Sequence, residues 1–105
     1  MMRITFTVRH GKATDKIKDY GKKKVKKLKK YYDGIIDCEI ILDYVKTNQI
    51  ADIKIGVYGT VLSAMVESDD IYKSIDEAVS KLERQLEKYK ERWKKKITID
   101  KSIKI

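Results

Sequence analysis

Four short segments of the chain place apolar residues at every second position, the spacing of β-strands that bury one face. The alternation covers residues 2–9, 37–45, 51–57 and 61–67. Turn-forming residues precede the third and fourth segments, Thr47-Asn48-Gln49 and Gly59-Thr60 respectively. The last three segments therefore predict an antiparallel meander, with a hairpin at its second turn.

Two longer segments repeat apolar residues every three or four positions, which is typical of amphipathic helices. The first helix is predicted to begin near Asp15, with Thr14 as its N-cap. It is predicted to end at Asp33-Gly34, because glycine suits a left-handed C-terminal residue. Its apolar stripe consists of Ile17, Gly21, Val25, Leu28 and Tyr32.

The second helix has the clearest amphipathic pattern of the chain and is predicted from about Ile71 to Lys95. Ser68-Asp69-Asp70 precede it, and they offer capping oxygens and negative charge to the positive end of the helix dipole. Its apolar stripe consists of Ile75, Ala78, Val79, Leu82, Leu86, Tyr89 and Trp93.

The predicted order of elements is βαβββα, which indicates an α+β sandwich of a four-stranded sheet with two helices packed on one face. A chain of 105 residues suffices for one domain with a modest core. We assign residues 1–96 to this domain and residues 97–105 to a tail or truncated linker. The tail, ITIDKSIKI, alternates weakly and is compatible with an extra strand, a frayed end or the start of a linker.

The net charge of +9 is unevenly distributed along the chain. Residues 10–32 hold ten lysines against two aspartates, which gives a net charge of +8. Residues 33–70 hold two lysines against eight acids, a net charge of −6, and residues 71–96 hold nine basic residues against five acids, a net charge of +4. Such segregation points to a partner with a negative field, and to nucleic acid first.

Helical geometry places many of these cations on common flanks. At ~100° per residue, five of them share one flank of the second helix: Lys81, Arg84, Lys88, Arg92 and Lys95. One flank of the first helix holds Lys16, Lys23, Lys27 and Lys30. Two helices lying side by side on one sheet are expected to merge these flanks into one broad basic surface.

A solvated face held by ion pairs along the helix is the alternative interpretation. Glu77 lies four residues before Lys81, a spacing that supports helices. Arg92 has no acid at three or four residues ahead, however, and crowded lysines repel one another. Binding phosphates would relieve that repulsion and release counterions from a nucleic acid, so we favour RNA binding through backbone and shape. Tyr20, Tyr31 and Tyr72 lie near the stripe edges, where they either seal the core or stack on bases.

Several functional classes lack their sequence signatures. There is no phosphate loop, no GxSxG and no HExxH, so neither an enzyme nor a small-molecule substrate is expected. Cys38 and His10 are the only residues of their types, which leaves a zinc site without ligands and predicts no cofactor. No apolar run is long enough to span a membrane and no signal peptide is evident, so we predict a cytoplasmic protein without a membrane partner.

The chain resembles the ribosome hibernation-promoting factor family, which includes protein Y and was formerly called sigma modulation protein. The resemblance covers about residues 2–96. In the second half it rests on Asp70-Ile71-Tyr72, Ile75-Asp76 and Lys81-Leu82-Glu83-Arg84-Gln85-Leu86 followed by a basic run. In the first half it rests on Arg9-His10, Thr14, Ile17, Tyr20, Lys27-Leu28 and Tyr31-Tyr32.

The resemblance implies a fold like that of a double-stranded-RNA-binding domain, and it makes residues 1–96 a ribosome-binding domain. It also implies binding to the small (30S) ribosomal subunit in the channel for messenger and transfer RNA, with inhibition of translation by occlusion under stress. The basic residues of both helices would then contact ribosomal RNA. By position this role falls to Lys23, Lys27, Lys30, Lys81, Arg84, Lys88 and Arg92, and Lys95 continues the flank.

Two departures from the family leave alternatives open. Gly21 stands where the family usually has a larger apolar residue, and it either allows close packing or marks a weak helix. The chain also lacks the acidic tail of protein Y and the C-terminal domain of long members, so it is a short member or a fragment of a long one. The alternative functions are a general double-stranded-RNA-binding module and a protein-interaction module that modulates transcription.

Overall fold

The computed structural model describes the backbone of residues 2–104 and the side chains of residues 2–91. The strands are β1 (Arg3–Arg9), β2 (Asp37–Val45), β3 (Asn48–Val57) and β4 (Thr60–Ser68). The helices are α1 (Asp15–Lys26), which continues as a 3₁₀ turn over Lys27–Lys30, and α2 (Ile71–Lys104). This order confirms the predicted βαβββα arrangement.

The four strands form one sheet in the order β1-β2-β3-β4, which leaves β1 and β4 at its edges. β1 pairs with β2 in parallel, and the other two pairs are antiparallel. The predicted meander is confirmed, but both of its loops lie earlier than predicted. They consist of Lys46-Thr47 and Tyr58-Gly59, and each contains one residue in the left-handed conformation, Lys46 (φ 57°) and Gly59 (φ 83°) respectively.

The core lies between the sheet and the two helices. The inward residues of the strands are in register, so that Ile53 pairs with Ile40 on one side and Ala64 on the other, and all three are buried. The largest fully buried apolar side chains come from both layers, and they include Val25, Leu28, Ile75, Leu82 and Leu86 of the helical layer and Ile40, Leu42, Ile53 and Ile55 of the sheet. Cys38 belongs to the same core, and burial raises the pKa of its thiol to about 12, which makes it a structural hydrophobe.

The first helix begins as predicted and ends differently. The Thr14 hydroxyl accepts a hydrogen bond from the Ile17 N–H at 3.2 Å, which confirms the N-cap. The helix then tightens into the 3₁₀ turn, and Gly34 is not left-handed, so the predicted C-terminal role of this glycine is wrong. A Cβ at Gly34 would lie 2.6 Å from the end of the Tyr32 ring, so a larger residue here would require that ring to move.

Gly21 allows α1 to approach the sheet closely. It is buried, and a Cβ at this position would meet the Phe6 ring at 3.2 Å and Ile40 at 3.4 Å. Glycine costs about 1 kcal/mol of helix propensity relative to alanine. Of the two alternatives for this glycine, the structure supports close packing.

A network of side chains fixes the start of α2. The Asp70 carboxylate accepts from the Tyr72 N–H at 3.0 Å, and Gln49 Oε1 accepts from the Ile71 N–H at 2.8 Å. The buried Ser74 hydroxyl donates to the Gln49 carbonyl at 2.7 Å. From this start the helix continues to Lys104, nine residues beyond the predicted end at Lys95, so the tail is helical and the extra-strand alternative is wrong.

Removing the α2 cap should destabilise the fold moderately. Asp70→Ala leaves the Tyr72 N–H without its partner and removes a negative charge from the helix N-terminus, which should lower the free energy of unfolding by about 1 kcal/mol. Urea denaturation followed by circular dichroism measures this change. Asp69→Ala is the matched control, because Asp69 is exposed and makes no hydrogen bond within the described residues. Equal effects of the two substitutions would contradict the capping role.

Candidate RNA-binding surface

Six of the eight predicted binding residues have described side chains, and all six lie at the surface of the helices. They are Lys23, Lys27 and Lys30 on α1 and its 3₁₀ extension, and Lys81, Arg84 and Lys88 on α2. The side chains of Arg92 and Lys95 lie outside the described residues. Among the described side chains the ion pairs are His10–Asp43 and Lys24–Asp76, so none of the six is neutralised by an ion pair. The structure therefore does not contain the ion pair between Glu77 and Lys81 that their spacing would allow, and Lys81 keeps its charge unpaired among the described side chains.

The flank of α2 that carries acids faces α1. Asp76 Oδ1 accepts from the Tyr20 hydroxyl at 2.5 Å and lies 3.3 Å from Lys24 Nζ. Further along, the charge of Glu83 raises the pKa of Tyr31, which follows the 3₁₀ turn, and Glu87 adds to that effect, so both carboxylates lie near this side chain. We call Asp76, Glu83 and Glu87 the acidic seam.

The opposite flank of α2 lies over the edge strand β4. Gln85 Nε2 donates to the Ser63 carbonyl at 2.7 Å, and the Tyr89 hydroxyl donates to the Tyr58 carbonyl at 2.6 Å. Lys88 lines a cavity together with Thr60 and Leu62 of β4. Lys88 is thus on the side of α2 that is remote from α1.

The two predicted basic flanks are therefore not joined by cations alone. The acidic seam and Lys24 lie between them. We call Lys23, Lys27 and Lys30 the α1 surface, and Lys81, Arg84 and Lys88 the α2 flank.

The tyrosines suggested as base-stacking groups serve the junction of the helices. The rings of Tyr20 and Tyr72 meet edge to face at 4.9 Å, and Tyr20 also bonds Asp76. Tyr31 is half-buried. Another tyrosine, Tyr58, is 71% exposed in the β3–β4 loop. The alternation of β3 signals it, because Tyr58 falls on the outward side and precedes a loop glycine.

Tyr20 should make the stability of the fold sensitive to alkaline pH. Burial, together with the hydrogen bond to Asp76, raises its pKa from 10.0 to about 12. Because the folded state favours the protonated phenol, this stabilisation is complete below pH ~10 and is lost as the pH rises towards ~12. Tyr20→Phe keeps the ring contact but removes the titrating group. The unfolding free energy, measured in urea at a series of alkaline pH values, should therefore fall less steeply in the variant.

Tyr58→Phe serves as the control for this pH series. Tyr58 is exposed, and its main-chain carbonyl, which accepts a hydrogen bond from Tyr89, is retained by the substitution. The slope of this control against pH should match that of the wild type. A Tyr20→Phe variant with the wild-type slope would show that the Tyr20–Asp76 bond contributes nothing to the helix junction.

The described residues contain no group of three or more potential metal ligands of the His, Cys, Asp or Glu types. Within the same part of the chain, no helix is long and apolar enough to cross a membrane.

Comparisons with known proteins agree with the fold and cover nearly all of it. Residues 4–94 match the family described as Sigma 54 modulation protein / S30EA ribosomal protein. The chain is 34% identical over 93 residues to the ribosome hibernation promoting factor of Klebsiella oxytoca, covering 89% of this chain and 98% of that protein. Among solved structures it is similar to a ribosomal subunit interface protein from Coxiella burnetii (TM-score 0.79, 32% identity, 86% of this chain and 98% of that one). It is also similar to the N-terminal domain of Thermus thermophilus protein Y (TM-score 0.78, 30% identity, 85% and 99%).

Proposed function

The chain belongs to the Sigma 54 modulation protein / S30EA ribosomal protein family, and on that premise we propose that it binds the small ribosomal subunit and inhibits translation. Binding takes place in the channel that messenger and transfer RNA occupy, and inhibition is by occlusion, without catalysis. Similar proteins named ribosome hibernation promoting factor and ribosomal subunit interface protein support the ribosome as the partner.

The observation that carries this proposal is the set of surface cations on the two helices. The α1 surface and the α2 flank each present three of them, and none lies in an ion pair among the described side chains. Crowded lysines that find no acidic partner within the fold are suited to phosphates, which a ribosomal RNA supplies at high density.

The separation of the two basic surfaces favours a cleft over a single duplex as the binding site. Two positive fields on opposite sides of the acidic seam can contact RNA on two walls, whereas one RNA helix laid across both would pass over the seam carboxylates. We therefore assign the α1 surface and the α2 flank to different RNA segments that border the channel. The seam faces the space between those segments.

Co-sedimentation with purified small subunits over a salt series tests the proposal. We expect saturable binding near one protein per subunit, weakened by salt and displaced by transfer RNA with messenger. Equal binding to any RNA duplex, without saturation on subunits, would instead favour the general double-stranded-RNA module. Binding that is insensitive to salt would favour a protein-interaction module, the alternative linked to transcription.

Neutralising the acidic seam should strengthen binding slightly. Glu83→Gln/Glu87→Gln removes two carboxylates that repel nearby phosphates, each by at most ~0.5 kcal/mol at about 8 Å in water. The affinity for the small subunit should rise about two- to fivefold, as measured by the same sedimentation assay. The amide of a glutamine at position 83 retains a hydrogen-bonding group for Tyr31, so the helix junction is preserved. Weaker binding would show that the seam carboxylates themselves contact the ribosome.

A further inference from the structure

A notch at the outer edge of the molecule combines an apolar floor with a basic rim. It has a volume of about 240 Å³ and is lined by Thr60, Leu62, Gln85, Lys88 and Tyr89. This equals the volume of roughly eight waters at ~30 Å³ each, which is enough for a planar nucleobase. The notch belongs to the β4 side of α2, where the α2 flank lies.

The walls of the notch are fixed by hydrogen bonds to main-chain carbonyls. Gln85 Nε2 donates to Ser63, and the Tyr89 hydroxyl donates to Tyr58. Leu62 and Tyr89 are half-buried and pack against the core, so they form a firm apolar floor. Such a floor is prepared before a ligand arrives, and little conformational entropy is lost on binding.

The loop beside this floor carries an exposed aromatic residue, and a cation lies at the rim. Tyr58, which is 71% exposed, occupies the loop whose carbonyl anchors Tyr89. Lys88 lies at the rim, and Arg84 lies one helical turn before it on the same flank. An aromatic surface beside phosphate-binding cations is the combination that proteins use for single-stranded nucleic acid.

We propose that this notch binds one unpaired nucleotide of an RNA strand. The base lies on Leu62 and Tyr89 with the Tyr58 ring against it, and Lys88 contacts the adjoining phosphate. The choice of RNA as the ligand rests on the proposed function. The notch would thus add a contact with a base to a surface whose other residues recognise only phosphates and the shape of the RNA.

The test compares a fluorescently labelled oligouridine with an abasic strand of the same length and charge. We expect wild-type protein to bind the oligouridine about tenfold more tightly, because stacking contributes to one strand only. Tyr58→Ala should abolish this preference while leaving the main-chain acceptor for Tyr89 in place. Tyr58→Phe should retain the preference, and Lys88→Gln should lower the affinity for both strands equally. Met65→Ala, which removes another exposed side chain of the same sheet, is the control and should behave as wild type.

Equal affinity of wild type for the two strands, or a preference that survives in Tyr58→Ala, would overturn the nucleotide site. The same proteins are also sedimented with small ribosomal subunits. Saturable subunit binding without any preference for bases would refute the notch and leave the proposed function standing. A preference for bases that depends on Tyr58, without saturable subunit binding, would support the notch and refute the proposed function.

Discussion

Arg84→Gln/Lys88→Gln is expected to weaken binding to the small ribosomal subunit by about two orders of magnitude. Removing one cation that binds a phosphate lowers the slope of log affinity against log salt by ~0.7–0.9, which corresponds to roughly tenfold in affinity near ~0.1 M salt. Both side chains lie at the surface and form no ion pair among the described residues, so their removal should not disturb the fold. Sedimentation at several salt concentrations gives the affinity and the slope together.

The matched control removes two cations from the opposite face of the molecule. Arg3→Gln/Lys54→Gln lowers the net charge from +9 to +7, as the test variant does, but both residues lie on the outward side of the sheet. If only the total charge mattered, the two variants would lose affinity equally and their salt slopes would fall together. A control that binds like wild type, beside a test variant with a shallower slope, assigns the contacts to the α2 flank.

Much of the architecture could be predicted because it depends on local patterns. Alternation in the strands and the stripe from Ile75 to Leu86 identify residues that must be buried, and burial of those faces leaves a two-layer sandwich as the solution. The Thr14 cap was likewise predictable, since its hydroxyl bonds a main-chain N–H only three residues away. The surface position of the binding residues follows from the same periodicity.

The features that could not be predicted depend on contacts between elements. The charge pattern of α2 gives two flanks, but it does not tell which of them faces α1. The orientation of α2 is instead fixed by contacts between elements. Asp76 contacts Tyr20 and Lys24 of α1, and Gln85 donates a hydrogen bond to the β4 backbone. The position of the hairpin loops also depends on the register between strands, in which Val45 pairs with Asn48 and Val57 with Thr60.

The role of Gly34 shows the same limit at a single residue. A glycine after a helix indicates a left-handed cap by local statistics, but here the helix tightens into a 3₁₀ turn and ends earlier. The end of the Tyr32 ring then lies over Gly34, and a side chain at this position would have to displace it. The Tyr32 ring also packs edge to face on the Tyr89 ring of α2, with 5.3 Å between their centroids, a contact that the local sequence does not reveal.

The separation of the α1 surface from the α2 flank leads to the largest effect that we expect. Lys23→Gln/Lys27→Gln should weaken subunit binding about as much as the α2 double substitution, by roughly two orders of magnitude near ~0.1 M salt. If the two surfaces contact different RNA segments, the two effects should be additive in free energy. The quadruple variant that combines both double substitutions should then bind about ten-thousandfold more weakly than wild type. Sedimentation of the two double variants and the quadruple variant with small subunits provides this double-mutant cycle.

Folding stability distinguishes this outcome from simple damage to α1. Lys23 and Lys27 are exposed and lie one helical turn apart among other lysines, so their removal relieves like-charge repulsion. The free energy of unfolding in urea should therefore stay level or rise by a few tenths of a kcal/mol, although binding is lost. The lysine crowding of α1 would then be a cost to the fold that is retained for the sake of RNA. A quadruple variant that binds no more weakly than either double variant would show that the two surfaces compete for a single RNA segment. The assignment of the two surfaces to two walls of the channel would then be wrong.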